Sequence, residues 1–335
     1  MATLKDIARR TGLSMNTVSR ALRQSGYVSR ETAEKVRLAA QELDYRPNRA
    51  ARELRSSCSS SIAVVAESGD YLHIQKITAI QQLAACSGFT TNNFFVAEEF
   101  ERSRLEAITE ILQYENPAGV ILIGMDQQFI DAARRLAVHF PVVLVSYEAV
   151  GDLDCVYIDR RGGVYAAIHH LYTAGCRRIA YLGSDMMGNK HKGYRDAVQE
   201  LGLPEIWLPA AEITTARQIR SDVMLLARQI AAMPERPDGI QCSDYYAAAL
   251  AAELPALGIQ VPQDLALVGF DDRDFVEVIA PPLSTVAQPS CEVGSAAAQL
   301  LIDRITAGAT AAVRQLKIPM RLVVRESSNF GNQER

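Results

Sequence analysis

Two hydrophobic rhythms divide this chain. Over residues 3–43, apolar side chains recur at helical spacing: Leu4, Ile7 and Ala8, then Val18, Ala21 and Leu22, then Val36, Ala39, Ala40 and Leu43. Thr3 with Asp6 reads as a capping-box start, Gly12 as the turn after a first helix, Ser14 as the cap of a second, and Ser29-Arg30-Glu31-Thr32 as the opening of a third. From Ser61 the rhythm changes to short continuous apolar runs, expected as strands at 61–67, 90–97, 119–124, 141–146, 155–159, 177–183, 239–244 and 265–272. Between them lie helical stretches such as 74–88, 163–175 and 188–202. Strands with no alternating polar face belong in parallel sheets covered on both sides by helices. The pattern predicts an all-α head followed by an α/β body.

The second helix turns Met15, Asn16, Ser19 and Arg20 away from its apolar face. Asn can bond an adenine edge and Arg a guanine edge bidentately, each good pair giving roughly 1–3 kcal/mol of discrimination. Ser14, Thr17, Ser19 and Arg23 suit phosphates, which set register without reading sequence, and Tyr27 joins this DNA-facing set. The plain alternative is a small solvated helical hairpin.

The motifs TLKDIARRTGLSMNTVSRAL, VSRETAEKV, YRPNRAARELR, LALVGFDD and PPLSTVAQP occur in this order over essentially the whole length. In them the chain resembles the lactose-repressor (LacI) family of bacterial transcription regulators. The resemblance implies a helix-turn-helix DNA-binding head at 1–46, a hinge helix and linker at 47–60, and an effector-binding and dimerisation body at 61–330. The body would comprise two doubly wound parallel-sheet lobes of the periplasmic-binding-protein type, one near 61–160 and 291–319, the other near 161–289 and 321–330. Crossovers are expected near 159–163, 288–291 and 319–321. It also implies that Asn48, Arg49, Ala51, Leu54 and Arg55 form a hinge helix on the operator, with Leu54 entering the minor groove; an apolar wedge there unstacks a base step and permits a bend. The alternative for Leu54 is a buried linker leucine. Residues 56–61, mostly serine, read as a tether.

Charge sharpens the division. Of the 35 Lys+Arg and 39 Asp+Glu, residues 1–56 hold 12 and 6, which leaves 23 and 33 for the rest. A basic head on an acidic body directs attraction for phosphate to one end and makes affinity fall with salt. The six cysteines, Cys58, Cys86, Cys155, Cys176, Cys242 and Cys291, are widely spaced with no C-x-x-C pair, so no metal, cofactor or disulfide scaffold is indicated. The amino terminus is polar and no 18-residue apolar run occurs, so we expect a cytoplasmic, nucleoid-associated bacterial protein with no membrane partner.

In such sheets ligands bind at the carboxyl ends of the strands. There the sequence places Ser68, Tyr71, His73, Tyr147, Asp159, Ser184, Met186, Asp244, Tyr245 and Asp271, with Lys190 after the strand ending at Gly183. Carboxylates accept hydroxyl hydrogen bonds and aromatic rings stack on apolar sugar faces, so the set suits a polyhydroxyl ligand, though a purine or nucleoside would stack as well. An Asp after a strand is equally suited to cap the next helix. The resemblance implies that Asp271 and Asp159 touch effector. It also puts Lys190 where the family carries an anchoring arginine, four residues before Tyr194, a departure because Lys is a point charge and not a planar fork. By the same resemblance, Ile213, the last residue of the expected strand PAAEI, stands where the family frequently has an aromatic, and Cys176 where it commonly has a histidine.

The expected function is a sequence-specific regulator, a repressor, that reads a pseudo-palindromic double-stranded operator as a homodimer under control of a sugar or sugar derivative. Alternatives are a sugar phosphate, held by the 183–191 loop with Lys190 and Lys192, or a nucleoside or purine. A metabolic enzyme with an accessory DNA-binding head needs a catalytic motif, and G-x-S-x-G, G-x-G-x-x-G and H-E-x-x-H are all missing. The 183–191 loop departs from the phosphate-cradling G-x-x-x-x-G-K-[ST] pattern, with its lysine one place late. A transport solute-binding protein would need an export signal. No leucine-heptad tail follows RLVVRESS, so tetramerisation by that route is not expected.

Overall fold

The computed structural model describes residues 2–23, 27–45, 59–96, 101–124, 126–183, 188–210, 216–307 and 312–329. Residues 1–59 and 60–335 form two compact units.

In the first unit, α1 (Leu4–Thr11), α2 (Met15–Arg23) and α3 (Arg30–Glu42) each start on a side-chain cap or turn that the sequence specifies locally. The Thr3 N–H donates to Asp6 Oδ2 at 2.9 Å and the Asp6 N–H to Thr3 Oγ1 at 3.4 Å. Ser14 Oγ accepts from the Thr17 N–H at 3.1 Å, and Ser29 Oγ from the Thr32 N–H at 3.2 Å. Such caps each contribute about 1 kcal/mol by satisfying amides that have no helical partner. Gly12 ends α1 at φ 72°, where a side chain would clash with its own backbone. Ile7, Val18 and Val36 are fully buried against Ala21 and Ala39, with Leu4, Leu13, Leu22, Val28, Leu43 and Tyr45 closing around them. Most of the segment expected as a hinge, residues 46–58, including Asn48, Arg49, Ala51, Leu54 and Arg55, lies outside the described residues.

The described residues of the second unit form two sheets. One has the order β11-β5-β4-β3-β1-β2, all parallel, from β1 (Ser61–Ala66), β2 (Thr90–Phe95), β3 (Gly119–Ile123), β4 (Val142–Ser146), β5 (Asp154–Asp159) and β11 (Gln315–Pro319). The other runs β12-β10-β9-β8-β6-β7, from β6 (Ile179–Gly183), β7 (Ile206–Pro209), β8 (Gly239–Gln241), β9 (Ala266–Asp271), β10 (Ser284–Ala287) and β12 (Arg321–Val323), parallel apart from β12. Central strands such as β3 and β4 are buried at every position, which is why they read as unbroken apolar runs. In the first lobe α4 (Tyr71–Cys86) and α11 (Ser290–Ala307) cover one face, and α5 (Glu101–Glu115) and α6 (Gln127–Ala137) the other. In the second, α7 (Arg160–Thr173) and α8 (Asn189–Glu200) oppose α9 (Ala216–Ala232) and α10 (Asp244–Glu253). Among the described residues the chain passes between sheets three times: after β5 into α7, from β10 to α11, and through Met320 between β11 and β12.

Several elements depart from the sequence expectation. Strands β7, β10, β11 and β12 are short or carry polar side chains, as in Gln315-Leu-Lys-Ile-Pro319 at a sheet edge, and so lack the apolar run that marks the others. The strand expected to read PAAEI is the preceding Ile206-Trp-Leu-Pro209, and residues 211–215 lie outside the described set. The strand expected over 239–244 stops at Gln241, because Ser243 turns out to cap α10, with its Oγ accepting from the Tyr246 N–H at 3.4 Å.

At the amino-terminal end of β5, Asp154 accepts two hydrogen bonds from Arg304 of α11, at 2.6 and 2.7 Å, and one from the Arg314 N–H at 2.8 Å. Both side chains are almost inaccessible. The fork-to-carboxylate geometry fixes α11 across the sheet.

Candidate functional site

On α2 the polar row stands clear of the core. Met15 is 54% exposed, Asn16 and Arg20 are exposed, and Ser19 is half-buried. Ser14 and Thr17 bond each other at 2.9 Å at the start of the helix, and Tyr27 is 97% exposed. The side chain of Arg23 lies outside the described residues. A compact three-helix core thus presents one helix with its amino end and its polar face free, the form that enters a major groove.

In the body, the carboxyl ends of β1, β4, β5, β8 and β9 gather the other candidates. Ser68 Oγ lies 2.9 Å from His73 Nδ1, and Asp70 caps α4 by accepting the His73 N–H at 2.9 Å. His73 is 8% exposed, and burial pushes its imidazole down to about 4, so it is neutral at physiological pH. Tyr71 and Tyr245 are exposed, and Tyr245 stacks on Phe275 with centroids 5.2 Å apart.

Asp271 closes β9 at φ 105°, followed by Asp272 at φ 56°. These left-handed conformations cost a non-glycine residue on the order of 1–3 kcal/mol and persist where surroundings over-determine them. Here Gln288 donates its Nε2 to Asp271 Oδ1 at 3.0 Å, and Gln288 Oε1 in turn accepts from Lys76 of the first lobe. Burial depresses Lys76 to about 8, against the attraction of Asp271 and Asp70.

Two aspartates expected to face a ligand are used inside the protein. Asp244 is 1% exposed; it accepts from Thr285 Oγ1 at 2.6 Å and from the Arg273 N–H at 2.9 Å, so both oxygens are engaged. A Cβ at Gly269 would lie 2.1 Å from Asp244 Oδ1, so β9 needs glycine there for the carboxylate to sit against it. Burial raises Asp244 to about 7. Asp159 caps α7, accepting the Gly162 N–H at 3.0 Å, and pairs with Lys317 at 2.7 Å. For both, the helix-capping or packing alternative accounts for the position of the carboxylate. Ser184 and Met186 lie outside the described residues.

The structure also brings in residues passed over by sequence reasoning. Arg160 lays its guanidinium 3.7 Å from the centroid of the Tyr147 ring and 5.8 Å from that of Phe270. Lys190, already a candidate from the sequence, sets its Nζ 4.5 Å from the centroid of Phe270, which was not one. Arg273 bonds Asp70 across the two lobes at 3.2 Å and lies 4.8 Å from the Tyr245 ring. The usable signal was adjacency: Arg160 follows Asp159, and Arg273 follows the Asp271-Asp272 pair. Among the described residues, no group of three or more His, Cys, Asp or Glu is arranged to hold a metal. A hollow of about 410 Å³ beside Val142, Asp154 and Arg304 lies at the opposite ends of the strands, away from these groups.

Comparison with known proteins agrees with this division. Residues 3–48 match the family model of bacterial regulatory proteins, lacI family, and residues 168–328 that of a periplasmic binding protein-like domain. The HTH-type transcriptional regulator GntR of Pseudomonas aeruginosa is 32% identical over 97% of this chain and 95% of its own. The chain belongs to the LacI family. A ribose operon repressor of Halalkalibacterium halodurans is 28% identical over 99% of this chain and 98% of its own. The crystal structure of the lac repressor dimer bound to operator and the anti-inducer ONPF superposes with a TM-score of 0.79, at 22% identity over 98% of this chain and 99% of that one. This LacI-family chain is thus a transcription regulator with a helix-turn-helix head and an effector-binding α/β body, and its relatives are regulators, not enzymes. No described helix is long and apolar enough to cross a membrane.

Proposed function

We propose that the protein is a repressor that binds a pseudo-palindromic operator as a homodimer, and that a sugar or sugar derivative bound between the lobes sets its operator affinity. Asn16 and Arg20 would read base edges, Met15 would contact the groove, and Ser14, Thr17, Ser19, Arg23 and Tyr27 would hold backbone. The hinge at 47–60, with Asn48, Arg49, Ala51, Leu54 and Arg55, would follow into the minor groove. Two heads on a symmetric dimer give the site size that one short helix lacks.

The observation that carries the effector reading is the cluster at the strand ends. The carboxylate of Asp271, on a backbone in the left-handed region, is bonded by Gln288 near the lobe junction, with the rings of Tyr71, Tyr147 and Tyr245 at neighbouring strand ends. Carboxylate and aromatic faces together match the hydroxyl edge and apolar face of a sugar ring. The relative named for a ribose operon supports the same class. Calorimetric titration of the full chain with sugars, sugar derivatives and nucleosides tests it. Binding of a sugar-class ligand that Asp271→Ala abolishes is the expected result; binding of nucleosides alone would overturn it.

A further inference from the structure

The charges around the strand ends do not cancel in pairs. Asp70 is matched by Arg273, Asp159 by Lys317, and Asp272 by Arg325, which also holds Glu277. Lys76 is satisfied by Gln288 and the Leu72 carbonyl. Two cations are left over: among the described residues, neither Arg160 nor Lys190 makes a hydrogen bond or a carboxylate ion pair. Each has an aromatic face instead, Tyr147 under Arg160 and Phe270 under Lys190, and Phe270 lies within 5.8 Å of both.

Stacking on a ring occupies the flat face of a guanidinium and leaves its N–H edge directed outward in the plane, the geometry that receives a carboxylate or phosphoryl group bidentately. Burial first, and then the neighbouring Arg160 charge, depress the Lys190 ammonium to about 8, against the attraction of Asp271 and Asp244. These two carboxylates attract Lys190 without bonding it, so both cations keep hydrogen-bonding capacity for an added anion.

We infer that Arg160 and Lys190 form an anion clamp around Phe270, so that the effector is a small polyhydroxy molecule carrying a carboxylate or phosphoryl group. This rests on the sugar-class reading above and narrows it. The lysine supplies a point charge and the arginine supplies direction. Asp271, on the same side, takes the hydroxyls.

The test is titration calorimetry on the full chain with five- and six-carbon aldonates, the matching neutral aldoses, the matching sugar phosphates, and nucleosides. An aldonate or a sugar phosphate is expected to bind at least about tenfold tighter than its neutral counterpart, and the arm that does so identifies the anionic group. Arg160→Gln and Lys190→Gln should each reduce that affinity about 10- to 100-fold, the range for a lost charged hydrogen bond. Arg160→Lys should recover part of the loss, and the unfolding midpoint of each unliganded variant establishes that it is folded. Equal affinity for an aldose and its aldonate and phosphate would overturn the clamp and leave the sugar-class reading intact. An anion preference that survives in both glutamine variants would overturn the assignment to these residues. Binding of nucleosides alone, or of no member of the panel, would overturn both readings.

Discussion

Arg273, two residues past the end of β9, meets Asp70, the cap of α4, with Nη2 3.2 Å from Oδ2, and so ties one lobe directly to the other. The same arginine donates its backbone N–H to Asp244 and lies over Tyr245. A hinge between lobes would have to break or keep this contact as it moves. Since Asp70 is about one-third exposed and Arg273 less so, the pair is worth on the order of 1 kcal/mol. Arg273→Met, which keeps most of the packing, should lower the unfolding free energy of the body by about that amount in urea titration. A loss above about 3 kcal/mol would mean that the residue does more than pair with Asp70.

Two buried groups give opposite pH dependences. Asp244 is raised to about 7 by burial, with Asp271 and Asp272 adding to the rise and Thr285 and the Arg273 N–H opposing it. Between about pH 4 and 7 the folded state holds a proton there that the unfolded state has released, so Asp244 makes stability fall as pH rises. His73 is lowered to about 4 by burial and by Lys76 and Arg273, against Asp70. Between about 4 and 6.5 the unfolded state holds the extra proton, so His73 makes stability rise with pH. At full separation each slope is about 1.4 kcal/mol per pH unit. The two should largely offset one another over pH 4.5–6. Asp244→Asn should expose a rising slope and His73→Gln a falling one, measured as unfolding free energy against pH; parallel curves for both variants and the parent would contradict this.

In the head, Arg20→Ala should cost about 1–3 kcal/mol on a selected operator and little on scrambled DNA, because Arg20 is exposed on α2 and tied to no described partner. Gel shifts on the two DNAs measure the difference. Equal losses on both would reassign Arg20 to the phosphate backbone.

Arg304→Ala should destabilise the body by about 3 kcal/mol or more, because it leaves the inaccessible Asp154 carboxylate without its fork. The change lies at the far ends of the strands from the lobe junction, so thermal unfolding should shift while ligand affinity, measured at a temperature where the variant is folded, stays within about twofold. A large change in affinity at constant fold would join the two ends of the lobe functionally.

What the sequence revealed was what is local. Thr3 with Asp6, Ser14 and Ser29 cap their helices within three residues, and the 3.6 spacing of Ile7, Val18 and Val36 suffices to place the head core. Unbroken runs such as those of β3 and β4 announce a buried parallel sheet. The strand ends were legible as a region, but not the roles within it. Asp159 and Ser243 cap helices, and Asp244 faces Thr285, 41 residues away. Arg160 with Phe270, Lys76 with Gln288 and Arg273 with Asp70 meet only because two lobes, each made from separate stretches of chain, bring distant residues together. No spacing rule in one sequence encodes such a meeting.

The central claim is that occupancy of the lobe junction changes the grip of the head on DNA. Its most direct test is the operator affinity of the full chain, measured on a fragment selected from genomic DNA at low salt, with and without saturating cleft ligand. Coupling of about 1–3 kcal/mol should change that affinity roughly 5- to 150-fold, and Asp271→Ala should remove the change. An operator affinity identical with and without ligand, while calorimetry shows the ligand bound, would contradict the account.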